Sequence, residues 1–257
     1  MQMYNPSVSI VVNTYNRAKS LEATLSGLSH LQYDPYEIIV VNGPSSDATD
    51  LVLAKWRSRV KVASCAEANL AISRNIGISA SSGDIVAFID DDAVPHPQWI
   101  ARLASKYGDS LVGGVGGYTI DNTGVRFQCC KTIADRFGNA YYPPAFFDER
   151  PLNSPGTPMF PTLLGTNSSF RRSALEKIGG FDHTFAYLLD ETDVCLRIVD
   201  AGYQILYEAA ALVFHQFAHS HIRSYERVAR TLFPSAVSKA YFVVRHGARQ
   251  SLEEAGI

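Results

Sequence analysis

Three short apolar runs in the first ninety residues constrain the fold of this chain most strongly. They are rich in Val and Ile, lack apolar–polar alternation, and lie at residues 8–12, 37–41 and 84–89. Such runs are typical of strands that are buried on both faces, as in a parallel sheet. Between them, apolar residues recur at helical spacing at 18–31, 47–60 and 69–80. This alternation predicts an α/β fold with a doubly wound, mainly parallel sheet and helices on both faces.

The pattern changes after Asp92. Helices are predicted at 96–107, 172–178 and 190–201, and strands at 111–120, 165–170, 204–207 and 212–214. Residues 137–161 hold six of the twelve prolines, which predicts a long loop whose Tyr141 and Tyr142 could form an aromatic wall for a ring-shaped ligand. Residues 222–250 are predicted to be helical and carry six Lys or Arg against one acidic residue.

Charge and composition narrow the partners of the chain. Its 23 basic and 25 acidic residues give a net charge of −2, which provides no general attraction to nucleic acid or to a membrane. No apolar run approaches the roughly 18 residues that span a bilayer, and the N-terminus does not resemble a signal peptide. The four cysteines form no CxxC motif. We therefore expect a cytoplasmic enzyme without a nucleic-acid partner.

Three consecutive carboxylates, Asp90, Asp91 and Asp92, follow the otherwise apolar third strand. Ligands gather at the carboxyl ends of the strands in sheets of this kind. Like charges about 4 Å apart repel each other by ~1 kcal/mol in water and by ~4 kcal/mol at an effective dielectric constant of about 20. A hard divalent cation bound to these oxygens would relieve the repulsion. The alternative is a solvated acidic turn that caps the helix after Pro95.

Polar side chains also follow the first two strands. Residues 13–17 offer amide, hydroxyl, guanidinium and aromatic groups that suit a nucleotide base and a phosphate, or they begin a helix that Asn16 caps. Asn42 opens the segment NGPSSD, which is a good turn and helix start in its own right. Arg74 lies on the helix before the acidic strand, where it could bridge to the carboxylates or to a phosphate, or remain a solvated charge.

Candidate reacting groups lie in the second half of the chain. Asp190 and Glu191 begin a helix, where the helix dipole favours acidic residues, but a carboxylate there could also take a proton from an attacking hydroxyl. His215 follows the last predicted strand and is either a metal ligand or a hydrogen-bonded structural residue. The sequence contains no GxGxxG, P-loop, HExxH or GxSxG motif, which disfavours the enzyme classes that those motifs mark.

Six sequence blocks, in their order along the chain, resemble the family 2 glycosyltransferases with the GT-A fold. They are SIVVNTYNR (9–17), EIIVVNGPSSDAT (37–49), RNIGISASSGDIVAFIDDD (74–92), GTNSSFRRSALEKIGGFD (165–182), DETDVCLRIVDAGYQILY (190–207) and FHQFAHS (214–220). The likeness extends over residues 8–221. We predict a GT-A domain over 1–221 and a helical C-terminal extension over 222–257. Within the domain, 1–92 would form the nucleotide-binding half and 93–221 the acceptor and catalytic half.

The resemblance implies an inverting transfer of sugar from a nucleoside-diphosphate donor, a UDP- or dTDP-sugar, to an acceptor hydroxyl. It implies Mn²⁺ or Mg²⁺ as the cofactor, with Asp92 as direct ligand, Asp90 as its partner in the DxD motif and His215 as an additional ligand. The residues that it implies for nucleotide binding are Thr14, Tyr15, Asn16, Arg17, Asn42, Arg74, Asp90 and Asp91. Because Asn42 replaces the acidic residue that usually reads uracil, dTDP and GDP remain open beside UDP.

The resemblance also implies roles in the second half. Glu191 takes the place of the catalytic base, and Asp190 stays in reserve because the order of the two acids is reversed here. Gly165, Thr166 and Asn167 would shape the pocket for the donor sugar and the acceptor. The expected acceptor is a saccharide or a lipid-linked saccharide, and residues 222–250 could contact the inner face of a membrane.

Two alternatives stay open at this point. A nucleotidyltransferase would use a similar sheet and Mg²⁺, but it normally carries a glycine-rich loop after the first strand, and residues 13–17 contain no glycine. A nucleotide-sugar-binding protein without turnover would need the same binding residues but no base.

Overall fold

A computed structural model of the chain describes residues 5–185, 187–218, 224, 226 and 228–247. The strands are β1 (Val8–Thr14), β2 (Tyr36–Asn42), β3 (Lys61–Ser64), β4 (Ile85–Asp90), β5 (Ala93–Pro95), β6 (Val112–Ile120), β7 (Phe127–Cys129), β8 (Thr132–Asp135), β9 (Ala140–Tyr141), β10 (Met159–Thr162), β11 (Ser168–Arg171) and β12 (Gln204–His215). The helices are α1 (Ala18–Leu28), α2 (Thr49–Trp56), α3 (Leu70–Ala80), α4 (Trp99–Ala104), α5 (Arg172–Ile178), α6 (Asp190–Asp200) and α7 (Phe233–Phe242). Shorter 3₁₀ turns lie at Ser105–Gly108, Arg150–Leu152 and Gly165–Asn167, and a π-helical turn at Val243–Gly247.

The main sheet has the strand order β3-β2-β1-β4-β11-β6-β12-β5, and β7 pairs with β6 beside this path. The four strands from β3 to β4 run parallel, as do β6 and β12, whereas β11 and β5 run antiparallel to their neighbours. Strands β8, β9 and β10 form a small antiparallel sheet of their own.

Helices cover both faces of the main sheet. On one face, side chains of α1 and α4 such as Leu21, Leu25 and Trp99 pack into a core with β1 and β4. On the other face, α3, α5, α6 and α7 contribute to a second core that includes Val194 and Phe242. This confirms the predicted α/β architecture. No helix in the described ranges is long and apolar enough to cross a membrane.

The second half of the chain corrects three predictions. The strand predicted at 165–170 begins at Ser168, because the backbone N–H of Asn167 bonds to the carbonyl of Leu164 and closes a 3₁₀ turn over Gly165–Asn167. The two strands predicted at 204–207 and 212–214 are one strand, β12, whose register against β6 shifts between Glu208 and Leu212. The loop predicted at 137–161 contains β9 and part of β10, because these segments pair with β8.

The C-terminal helix is shorter than predicted. Residues 224, 226 and 228–232 are not helical, and α7 begins at Phe233 with Pro234 in its first turn. Proline lacks the N–H that a helix interior needs but suits the first turn, so the helix begins there. The rest of the predicted helix, at 222, 223, 225, 227 and 248–250, lies outside the described residues.

Candidate active site

The carboxyl ends of β1, β2 and β4 lie side by side at one edge of the main sheet. Thr14 lies opposite Asn42 in the β1–β2 pair, and Asn13 lies opposite Asp90 in the β1–β4 pair. This register gathers the polar segments that follow the three strands, as expected at the carboxyl ends of a parallel sheet.

Asp91, the middle carboxylate, is held by the segment that follows β1. Oγ1 of Thr14 donates a hydrogen bond to Oδ2 of Asp91 (2.7 Å), and Nη1 of Arg17 donates one to Oδ1 (2.8 Å). Burial raises the pKa of Asp91 to about 7, although Arg17 opposes the shift. Arg17 also lies 3.2 Å from Oδ2 of Asp92 and donates to the carbonyl of Ala218. Arg17 therefore ties the acidic turn to the segment after β12.

Asp90, Asp92 and His215 bring three potential metal ligands together, because one ligand atom of each lies within 4.8 Å of the others. Nε2 of His215 is 3.2 Å from Oδ1 of Asp92 and 3.7 Å from Oδ2 of Asp90. Nδ1 of His215 lies 2.9 Å from Oε1 of Gln128. Since a carboxamide oxygen only accepts, Nδ1 carries the proton in this pair, and the lone pair of the neutral ring is on Nε2.

A divalent cation fits this donor set. Oδ1 of Asp92 is buried and makes no hydrogen bond with good geometry to any described residue. Its neighbour, Nε2 of His215, lies 3.2 Å away and presents a lone pair when the ring is neutral, so a cation could bind both atoms. Carboxylate oxygens are the ligands that Mg²⁺ and Mn²⁺ prefer, and imidazole joins them at many transition-metal sites.

Arg74 binds the two acids that begin α6. Its side chain is only 3% exposed; Nη1 contacts Oδ2 of Asp190, and Nη2 lies 2.6 Å from Oε1 of Glu191. The guanidinium also stacks over Phe88 and Phe181, at 5.9 and 5.1 Å from the ring centres. The sequence suggested that Arg74 could bridge to the carboxylates after β4. Its ion pairs are instead with Asp190 and Glu191.

The two acids at the start of α6 differ in their electrostatic environment. Burial and the neighbouring charge of Glu191 raise the pKa of Asp190 well above its ordinary value. Burial, the largest single influence, would also raise the pKa of Glu191, but the charge of Arg74 and a hydrogen bond from Asp190 together hold that pKa below its usual range. Glu191 is therefore the ionised member of the pair at neutral pH. Arg74 and Glu191 also act electrostatically on Asp90, which indicates that the two acidic clusters adjoin.

Of the three residues predicted to shape a pocket, Gly165 lies directly against an acid of α6. A Cβ at this position would overlap Oε1 of Glu191 and Nη2 of Arg74. Asn167 is fully buried and its amide is used inside the protein: Nδ2 donates to the carbonyls of Tyr118 and Ala211, and Oδ1 accepts from the indole of Trp99. Thr166 is also buried.

Asn42 and Asn16 are engaged in loop contacts. Nδ2 of Asn42 donates to Oδ1 of Asp50 (3.0 Å), and its Oδ1 accepts from Ser45 (2.8 Å). Asn16 has a positive φ of 54°, and its Oδ1 accepts from the N–H of Ser46 (2.7 Å). The sequence suggested that Asn16 caps α1, but its side chain does not do so. The carboxylate of Asp47 accepts from the first N–H of that helix instead. Tyr15 lies half-buried beside them.

Several residues around the site were not predicted from the sequence. Gln128 orients His215 across 87 positions of the chain, and Asp193 on α6 binds His246 across 53 positions. Nothing in the local sequence of either pair indicates the contact. Asp193 also accepts from Arg197, and this pair could have been found from its i, i+4 spacing on a helix.

Comparison with known proteins identifies the family. A family model described as glycosyl transferase family 2 matches residues 9–179. The chain belongs to this family. Among curated relatives, it is 29% identical over 81% of its length to a glucosyl-dolichyl phosphate glucuronosyltransferase of Haloferax volcanii, covering 69% of that protein. It is 25% identical over 86% of its length to the O-antigen chain rhamnosyltransferase WbaN of Salmonella anatum, covering 70% of it. Other curated relatives are longer, and the chain spans 51% of the probable glycosyltransferase YdaM of Bacillus subtilis.

Solved structures confirm the GT-A fold. The mannosyltransferase PcManGT from Pyrobaculum calidifontis, solved with GDP-Man and Mn²⁺, matches 85% of this chain with a TM-score of 0.62 at 22% identity. GalNAc-T7, solved with UDP, GalNAc and Mn²⁺, matches 83% with a TM-score of 0.66 at 16% identity. The chain covers 59% and 46% of these two proteins. At this identity the likeness concerns the fold alone.

We expect Gly165→Ala to disturb the acids of α6 without unfolding the protein. The added methyl group overlaps Glu191 and Arg74, so their ion pair has to shift, and a shift of about 1 Å in a reacting group can lower a rate about 100-fold. The measurement is kcat for sugar transfer or donor hydrolysis, together with Tm. Gly108→Ala is the matched control, because a Cβ there meets nothing within 4 Å. Equal kcat values for the two variants would contradict the placement of Gly165 against a reacting group.

Proposed function

We propose that this chain transfers a glycosyl group from a nucleoside-diphosphate sugar to an acceptor hydroxyl, with inversion at the anomeric carbon and Glu191 as the base. The observation that carries the proposal is the pair of adjoining clusters. One is a carboxylate that Arg74 keeps ionised, and the other is a set of metal ligands at the end of β4. A single displacement requires one base for the attacking hydroxyl and a positive charge for the leaving diphosphate.

Glu191 is the stronger candidate of the two acids. The pKa of Glu191 lies below its usual range, so this carboxylate is ionised and can accept a proton at neutral pH, whereas the raised pKa of Asp190 favours its protonated form. Asp190 then serves to orient Arg74, which in turn orients Glu191. The short distance between Gly165 and both partners leaves Glu191 little freedom to move.

Asp90, Asp92 and His215 would hold Mn²⁺ or Mg²⁺, with Gln128 fixing the ring of His215. A bound cation would supply positive charge where the diphosphate leaves. Thr14 and Arg17 bind the carboxylate of Asp91, so Asp90 and Asp92 are the two carboxylates that remain to bind the cation. The Mn²⁺ in the solved structures of PcManGT and GalNAc-T7 supports this assignment.

In this proposal the donor is a UDP- or dTDP-sugar, and a GDP-sugar is the alternative. Thr14, Tyr15, Asn16 and Arg17 would line the nucleotide. Because the amide of Asn42 already bonds to Ser45 and Asp50, it is held in one orientation beside the end of β1.

Lipid-linked or polymeric saccharides are the proposed acceptors, since the similar proteins of Haloferax and Salmonella are named for a dolichyl phosphate sugar and for O-antigen chains. Tyr141 and Tyr142, which are 45% and 74% exposed, would contact the acceptor.

We expect Glu191→Gln to abolish transfer while leaving donor binding intact. The amide keeps the shape of the side chain but cannot take up the proton, so kcat should fall at least 100-fold, the lower range for loss of a general base. Calorimetric titration of UDP, dTDP, GDP and CDP with and without Mn²⁺ then measures nucleotide binding separately from transfer.

Three outcomes would contradict this proposal. Asp92→Ala should remove the metal-dependent part of nucleotide binding; if it does not, the metal assignment is wrong. If wild-type protein binds a nucleotide sugar but transfers nothing, as Glu191→Gln does, it is a binding protein. Release of diphosphate from a nucleoside triphosphate and a sugar phosphate would instead identify a nucleotidyltransferase.

Peripheral contact with an anionic membrane is the second part of the proposal. The outward side of α7 and the following turn is apolar at helical spacing, with exposed side chains of Phe233, Ala236, Val237, Ala240 and Val244. We name these five residues the apolar stripe. Residues 222–250 carry six Lys or Arg against one acid, which complements a negatively charged leaflet. A lipid-linked acceptor would be reached at such a surface.

We expect the protein to float with vesicles that contain anionic lipid and to stay behind with neutral ones. Phe233→Ser combined with Val244→Ser should reduce the bound fraction several-fold, and salt should reduce it further. Leu51→Ser is the control, because Leu51 is equally exposed but lies on α2. Flotation that is unchanged in the double variant would contradict the role of the stripe. A concentration-dependent dimer that the double variant loses would assign the stripe to a second copy of the chain instead.

A further inference from the structure

The turn that leads into α6 has an unfavourable backbone conformation. Leu188 and Leu189, directly before Asp190 and Glu191, have φ angles of 65° and 66°. Residues with a Cβ rarely adopt this left-handed region, and two in succession persist only where surrounding contacts hold them. Leu189, the N-cap residue of α6, has an apolar side chain that makes no capping hydrogen bond. The position of Glu191 therefore depends on contacts from elsewhere in the chain.

The C-terminal helix supplies contacts to this turn. Ser238 on α7 is fully buried, and its hydroxyl oxygen accepts a hydrogen bond from the N–H of Tyr187 (3.2 Å). Phe242, also fully buried, packs its ring 6.3 Å from that of Phe185. The hydroxyl of Tyr241 donates to the carboxylate of Asp182 (2.8 Å). Side chains of α7 thus contact the chain on the N-terminal side of the strained turn.

The π-helical turn after α7 reaches α6 itself. Nε2 of His246 lies 2.7 Å from Oδ1 of Asp193, which has no exposed surface and lies two positions after Glu191. Arg245 lies 3.4 Å from the same oxygen and also contacts Asp182. The other oxygen of Asp193 accepts from Arg197 on its own helix. Asp193 is thereby fixed both from α6 and from the C-terminal segment.

We propose that the segment from Ser238 to His246 positions the base: His246, through Asp193, and Ser238, through Tyr187, hold the strained turn and the first turn of α6 so that Glu191 meets Arg74. This inference rests on the proposed function of Glu191. His246 is a positioning residue, because it contacts neither Glu191 nor Arg74 directly. A carboxylate held by two independent sets of contacts stays close to one geometry, which the rate of proton transfer requires.

The test compares His246→Ala, His246→Gln and Ser238→Ala in the full-length chain with Ser235→Ala. Ser235 lies on the same helix but is partly exposed, so it controls for loss of a hydroxyl from α7. His246→Ala should lower kcat about tenfold with the KM for the nucleotide sugar unchanged, because the nucleotide site at the end of β1 and β4 keeps its contacts. His246→Gln, whose amide can donate from nearly the same position as Nε2, should restore most of kcat.

Hydrogen exchange of the amides of residues 187–193 gives a readout that does not depend on turnover. We expect faster exchange in His246→Ala and Ser238→Ala than in wild type, and no change in Ser235→Ala. Unchanged exchange and a kcat within twofold of wild type in His246→Ala would overturn the proposal. An equal loss in the Gln variant would overturn it as well, because it would indicate only a packing defect. Faster exchange in the two variants, together with a wild-type protein that transfers no sugar, would instead refute the proposed function and leave the positioning contact standing.

Discussion

The site depends on one buried cation, the guanidinium of Arg74. It comes from α3, in the first half of the chain, and binds both carboxylates at the start of α6, in the second half. Removing one partner of a buried ion pair costs about 3–5 kcal/mol, since the remaining charge is left without compensation. The next residue, Asn75, hydrogen-bonds both the N–H and the carbonyl of Phe181. Two successive residues of α3 therefore fix the approach of the segment that carries the proposed base.

This constraint explains features that are unrelated at first sight. Two buried carboxylates share one arginine, so their pKa values move apart: that of Asp190 rises well above its ordinary value and that of Glu191 falls below it. The close approach of Arg74 and Glu191 to the 3₁₀ turn before β11 leaves no room for a side chain at Gly165. The strained turn at Leu188 and Leu189 leads into α6, where the two acids meet Arg74. Ser238 of the C-terminal helix binds the residue before this turn, Tyr187.

Much of the fold and of the site could be predicted from the sequence, because the strongest signals are local. Unbroken apolar runs predict the parallel strands, and Asp90 and Asp92 stand out because charges follow a wholly apolar segment. The remaining features depend on contacts between distant positions. Asn167 reads as a polar pocket residue in sequence, but three buried partners from separate elements bind its amide. The same is true of Gln128 beside His215 and of His246 beside Asp193, which no spacing rule connects.

The central claim is that one ionised carboxylate, Glu191, assists a single displacement at the anomeric carbon. The stereochemistry of the product tests this claim most directly, and water can serve as the acceptor before the natural one is identified. Proton NMR would follow donor hydrolysis in the presence of Mn²⁺ and record which anomer of the free sugar forms first. We expect the anomer opposite to that of the donor, since one displacement inverts the centre. First formation of the same anomer as in the donor would indicate a double displacement and contradict the account.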